Sequence, residues 1–146
     1  MQVTEFMDKD HAAMEKLFAS LVARGKDRQN LRDRFAQFRV RMERHMAWEE
    51  DVLFKIVEQK TGGQSILVEE LTTQHARIKE LLAGIAKAID DGTPFGVLRD
   101  DLDAVMSAHE KMEDSSLYPW LDQTLSAGER DSAIASMKSL GKHLQG

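Results

Sequence analysis

Four histidines and two glutamates recur in this chain at a fixed spacing. His11 and His45 stand 34 positions apart, and so do His75 and His109. The second member of each pair opens a short motif, His45-Met-Ala-Trp-Glu49 and His109-Glu-Lys-Met-Glu113. The two halves superimpose at an offset of 64 residues without a gap. Imidazole nitrogen and carboxylate oxygen are ligands of divalent first-row metals, and a carboxylate can bridge two of them. One turn of α-helix places residues i and i+4 on the same face. The pattern reads as two half-sites for two metal ions, with His11, His45, Glu49, His75, His109 and Glu113 as the candidate ligands. A single His-x-x-x-Glu carries little information, and a lone interior histidine is more often a hydrogen-bonded core residue. The doubled constellation is the informative unit.

Helices must position these residues. Apolar residues at three-and-four spacing predict a first helix from about Thr4 to Arg24, with Met7, Met14, Leu17, Phe18 and Leu21 inward. Arg24-Gly25-Lys26-Asp27 ends it. A long second helix reaches about Lys60, with Leu31, Phe35, Phe38, Met42, Leu53 and Ile56 on its stripe, and Thr61-Gly62-Gly63 stops it. The third runs from about Ser65 to Asp90. Thr93 then suits an N-cap and Pro94 the first position of a fourth helix reaching about Thr124. Its inward residues are Val97, Leu98, Leu102, Val105, Met106, Leu117 and Leu121. Pro119 should kink or shorten it. Ser126-Ala-Gly-Glu129 resembles a capping box and opens a short fifth helix with Ile134, Met137 and Leu140 as its apolar face.

The expected fold class is all-α: an up-down-up-down four-helix bundle with a short C-terminal fifth helix. Residues 1–146 are read as one domain, the bundle over about 4–125 and the last helix over about 127–144. In an antiparallel hairpin, residues equidistant from the turn share one height. The midpoints of successive histidines are 28, 60 and 92, each near a predicted turn. Four histidines, one per helix, therefore belong at one level, on the stripes that also carry Met42 and Met106.

Composition narrows the chemistry. A 42% hydrophobic and 31% charged sequence is ordinary for a globular domain. A net charge of −5 argues against nucleic acid and anionic membranes as partners. No apolar run approaches a membrane span, and the N-terminus lacks signal-peptide features, so the cytoplasm is expected. There is no cysteine, which rules out disulfides and thiolate-held metals or clusters. His143 lies outside the repeat and is read as a surface residue. The methionines, Trp48, Phe54, Tyr118 and Trp120 are read as packing residues. Glu50, Glu110 and Asp114 are read as solvated.

The full arrangement, His…His-x-x-x-Glu…His…His-x-x-x-Glu over roughly residues 4–125, resembles the hemerythrin-like (HHE cation-binding) family. The resemblance implies a non-haem di-iron centre in a four-helix bundle. One iron would sit on His11 and His45 and the other on His75 and His109. Glu49 and Glu113 would bridge them beside a solvent-derived oxo or hydroxo bridge. Iron ranks ahead of manganese and zinc. Oxygen-carrying members have a His-x-x-x-His pair on the third helix; Leu71 and Lys79 stand at those positions here, so the fifth histidine is absent. Those carriers also use His-x-x-x-x-Asp on the fourth helix, a spacing that Asp114 offers. Glu113 repeats Glu49 and keeps the helical face better, which leaves Asp114 as the second choice of bridge. The pattern is closer to the four-His, two-Glu branch.

The expected function is binding of O2, NO or peroxide for sensing, storage or detoxification. The alternatives are a di-iron redox enzyme acting on peroxide or NO, or with iron-cluster repair-like activity, and an iron-sensing or structural metal-binding bundle. No catalytic residue separate from the metal ligands is evident. The expected partner is a small diatomic ligand or peroxide.

Overall fold

Antiparallel helices give the repeated histidines a common height, and the computed structural model shows how. It describes residues 1–21, 28–63 and 65–145, with side chains up to residue 140. Helix α1 covers Val3–Ala19. Helix α2 runs over 28–61 as Arg28–Trp48, a wide π turn at Glu49–Leu53, and Phe54–Thr61. Helix α3 covers Ile66–Asp91. Helix α4 runs over 96–124 as Gly96–Met112, a second π turn at Glu113–Leu117, and Tyr118–Thr124. Helix α5 covers Ala127–Gln145. Each of the first four packs on the next, and α4 closes on α1. This is the expected all-α bundle. Helix α5 lies against α1 and α2 of the same chain. Among the described residues, no helix is long and apolar enough to cross a membrane.

The helix ends follow local chemistry, and several differ from the sequence reading. Helix α1 ends at Ala19, not near Arg24: Ser20 turns the chain, its Oγ donating to Leu17 O at 2.6 Å. The Arg24–Asp27 break lies outside the described residues, as does the side chain of His143. Ser65 caps α3 by accepting from Val68 N–H. Gly92 ends it with φ 72°, and a Cβ there would also strike the Arg28 guanidinium. Thr93 does not cap α4. Its N–H donates to Ala88 O at 2.9 Å, so it finishes α3, and α4 begins three residues later behind the buried ring of Phe95. That later start turns Val97 outward, where it is 76% exposed. Pro119 does not end α4, which continues to Thr124. It falls just after the π turn, in the first turn of Tyr118–Thr124, where a missing N–H is tolerated.

The first turn of α1 has no cap of its own. Asp122 of α4 supplies one, accepting from Val3 N–H at 2.6 Å and Thr4 N–H at 3.1 Å. The core is divided. One apolar cluster gathers Met14, Phe18, Phe38, Met42, Ile78 and Met106; the other gathers Met7, Leu53, Phe54, Leu71, Leu117 and Met137. The four histidines lie between them.

The capping box at the start of α5 is complete. Ser126 N–H donates to Glu129 Oε1 at 3.0 Å, and Glu129 N–H donates to Ser126 Oγ at 3.1 Å. The bond from the Ser126 backbone, with Lys60 beside it, holds the Glu129 carboxyl at about 2, below its ordinary 4.5. A depressed carboxyl stabilises above its unfolded value and loses that stabilisation as pH falls through its folded one. The first turn of α5 should therefore lose amide protection between about pH 4.5 and 2, and a Glu129→Gln variant should lose that dependence. A carboxyl titration by NMR with a midpoint near 4.5 would refute the cap.

Candidate metal centre

The polar layer is built from one residue or motif per helix. His11 comes from α1, His45 and Glu49 from α2, His75 from α3, and His109 and Glu113 from α4. All six side chains are at most 7% exposed. His11 Nε2 lies 3.0 Å from His45 Nε2, and His75 Nε2 lies 3.1 Å from His109 Nε2. The carboxylates span the two pairs. Glu49 turns Oε1 to His75 and His109, at 2.9 and 3.3 Å, and Oε2 to His45 at 3.7 Å. Glu113 turns Oε2 to His109 at 3.2 Å and Oε1 to His11 at 3.6 Å. The structure thus brings all six candidate residues together. Asp114 is exposed and lies on the outer side of His11, within 4.8 Å of it, away from the interior layer.

The outer ring nitrogens explain why this layer needs cations. His45 Nδ1 donates to Asp10 Oδ2 at 2.8 Å, His75 Nδ1 to Glu50 Oε1 at 3.1 Å, and His109 Nδ1 to Gln74 Oε1 at 2.7 Å. A neutral imidazole carries one N–H. With Nδ1 as the donor, Nε2 is a bare lone pair. In the second pair, two such lone pairs face each other and a carboxylate oxygen, and nothing in that trio donates. Neither oxygen of Glu113 accepts a hydrogen bond, although the side chain is fully buried. Two ring nitrogens about 2.1 Å from one metal at a right angle stand about 3.0 Å apart. Both histidine pairs have that separation. Among the described residues, Glu49, His75, His109 and Glu113 form one donor group within 4.8 Å, and His11, His45 and Glu113 form another. The donor set fits divalent metal.

The electrostatics agree. Burial opposes ionisation of Glu49, but positive charge at His45 and protons between Glu49 and His109 and His75, the places that bound cations would take, hold its carboxyl well below the usual range. Burial pushes the His109 imidazole down, toward the neutral form that can ligate. Burial also opposes ionisation of Asp10, yet the bond from His45 and the charges of Arg44 and Arg41 keep it ionised.

Sequence reasoning misses two supporting residues and reads two others too simply. Asp10 was not singled out, although Arg41 and Arg44 each reach its Oδ1, at 3.1 and 3.0 Å. Gln74 was also passed over; both precede a candidate histidine directly, and that adjacency was the available signal. Glu50 is not simply solvated: it accepts from His75 and is braced by Lys79 at 3.2 Å. Tyr118 is more than packing. Its hydroxyl donates to Glu49 Oε2 at 2.8 Å and lies 3.3 Å from His11 Nε2. Burial first, and then the Glu49 charge, push its phenol well above 10, so it keeps its proton.

The π turns deliver these groups. In each, an N–H five residues on bonds the glutamate carbonyl: Phe54 to Glu49 O, and Tyr118 to Glu113 O. Widening the turn brings residues i and i+5 onto one face, so a carboxylate and the following aromatic both enter the layer.

The family model for the hemerythrin HHE cation-binding domain matches residues 2–121. The chain belongs to that family. No curated protein and no solved structure matches it.

Glu113→Gln should separate charge from shape. The amide N–H can donate to a bare Nε2 while removing a buried charge. Metal-free variant protein should melt higher than metal-free wild type by calorimetry. It should also lose most of the metal-induced stabilisation, which in wild type is about 2.7 kcal/mol at a hundred times the Kd. Asp10→Ala and Gln74→Ala should each weaken metal affinity about 10–100-fold by competition with a chelating dye.

Proposed function

We propose that this member of the hemerythrin family is a non-haem di-iron protein that binds O2, NO or peroxide inside its helix bundle. The observation that carries the reading is the pairing of donors: two histidines face each end of two carboxylates that span the gap between them. Such a set suits two metals of one kind, with His11 and His45 holding one, His75 and His109 the other, and Glu49 and Glu113 bridging. Nitrogen and oxygen donors with no thiolate favour iron or manganese over softer metals. When bound, two reduced irons supply two electrons and exchangeable positions to a small oxidant or NO. Four histidines and two carboxylates leave such positions, where a fifth histidine would fill one.

The surrounding chain contributes dryness and size selection. Met42, Ile78, Phe18 and Met106 lie in the apolar cluster on one side of the layer, Leu53, Phe54 and Leu71 in the cluster on the other. Bulky or charged solutes are excluded by such packing. Sensing, storage and detoxification all fit this binding step.

A redox enzyme acting on peroxide or NO is a second reading, and Tyr118 favours it. Its hydroxyl is a buried proton donor beside Glu49, distinct from the six proposed ligands. A carrier needs no such donor.

Anaerobic loading with ferrous iron should give two irons per chain. Adding O2, NO or hydrogen peroxide should then produce new visible absorption, absent from Glu49→Ala. Sustained consumption of peroxide or NO would select the enzyme reading. Zinc in place of iron, or no spectral change with any of the three, would overturn the proposal.

A further inference from the structure

The 64-residue repeat extends past the ligands. Phe54 and Tyr118 are equivalent under it. Each follows its glutamate by five residues across a π turn, and each ring sits against a histidine. Phe54 stacks on His75 with centroids 5.4 Å apart, and Tyr118 lies 5.8 Å from His11. The difference between the two aromatics is one oxygen, and that oxygen is bonded to Glu49.

The donor sets differ on the same side. Around His75 and His109, donors of four residues fall within 4.8 Å of one another; around His11 and His45, the group has three, and Glu49 is not among them. Glu49 Oε1 reaches His75 at 2.9 Å, whereas Oε2, which accepts from Tyr118, stands 3.7 Å from His45. Glu113 shows the same bias, 3.2 Å to His109 against 3.6 Å to His11. A carboxylate oxygen that already accepts a hydrogen bond shares its lone-pair density and is a poorer metal donor.

We infer that the Tyr118 hydroxyl weakens Glu49 Oε2 as the bridging donor toward the His11–His45 pair and so divides the centre into two unequal metal sites. The Glu49–His75–His109–Glu113 half is tight and fills first. The His11–His45–Glu113 half, to which Glu49 is the weaker bridge, is looser and fills second. Tyr118 acts through Glu49 and is a positioning residue. The inference rests on the reading that the layer holds two divalent metals.

Cobalt(II), added anaerobically to the full chain and followed by calorimetry and visible absorption, tests it. Wild type should bind two equivalents in two steps, with Kd values separated about tenfold or more. Tyr118→Phe, which copies the ring at position 54, should draw the second step toward the first several-fold and change the absorption of the second cobalt only. His75→Ala should abolish the tight step, and His11→Ala should keep it and lose the weak one. Two equal steps in wild type, an unchanged separation in Tyr118→Phe, or loss of the tight step in His11→Ala would each overturn the inference while leaving the metal centre standing. No cobalt uptake by wild type would overturn both. If Tyr118→Phe fails to fold by circular dichroism, the two histidine variants decide.

Discussion

Four imidazoles and two carboxylates converge on one layer in the middle of the bundle, and much of the structure answers that concentration of buried polar groups. Unpaired charge in an apolar interior costs several kcal/mol per group. Three of the histidines are locked as Nε2 acceptors by Asp10, Glu50 and Gln74. Asp10 and Glu50 are themselves neutralised, by Arg41 and Arg44 and by Lys79. The protein therefore satisfies the outer edge of the layer with its own cations and leaves the inner edge bare. An interior polished this way is a receptor for positive charge.

Backbone geometry serves the same end. A regular helix carrying Glu49 inward would rotate Phe54 away, and one carrying Glu113 inward would rotate Tyr118 away. A π turn in each of α2 and α4 restores both. Such turns disrupt the regular ladder and recur at functional sites. Their position, opening at each carboxylate, ties the irregularity to the site and not to the helix ends.

Much of this was legible from residue types and spacing. The doubled His…His-x-x-x-Glu pattern identified the six converging side chains, and equal distances from the turns put them at one height. The capping box at Ser126 was readable because both of its halves are local. What escaped was whatever depends on a neighbouring helix. Asp10 and Gln74 support histidines on the next helix, a relation that periodicity along one helix does not contain. Tyr118 looked like packing because its partner, Glu49, is 69 residues away. The π turns escaped because Leu53 and Leu117, four residues after Glu49 and Glu113, are themselves buried, so a regular helical period already fits the sequence there. Thr93 and Pro94 misled for a different reason: cap signals for the end of α3 and the start of α4 overlap in four residues, and the Schellman-type closure on Ala88 took precedence.

The divided core has a mechanical meaning. The two apolar clusters sit on opposite sides of the polar layer, and helices α1 to α4 cross all three levels. Because the same four helices carry both clusters, the layer between them belongs to both. A ligand that binds the layer of the folded protein therefore stabilises both ends together, the Asp122 clamp on α1 included.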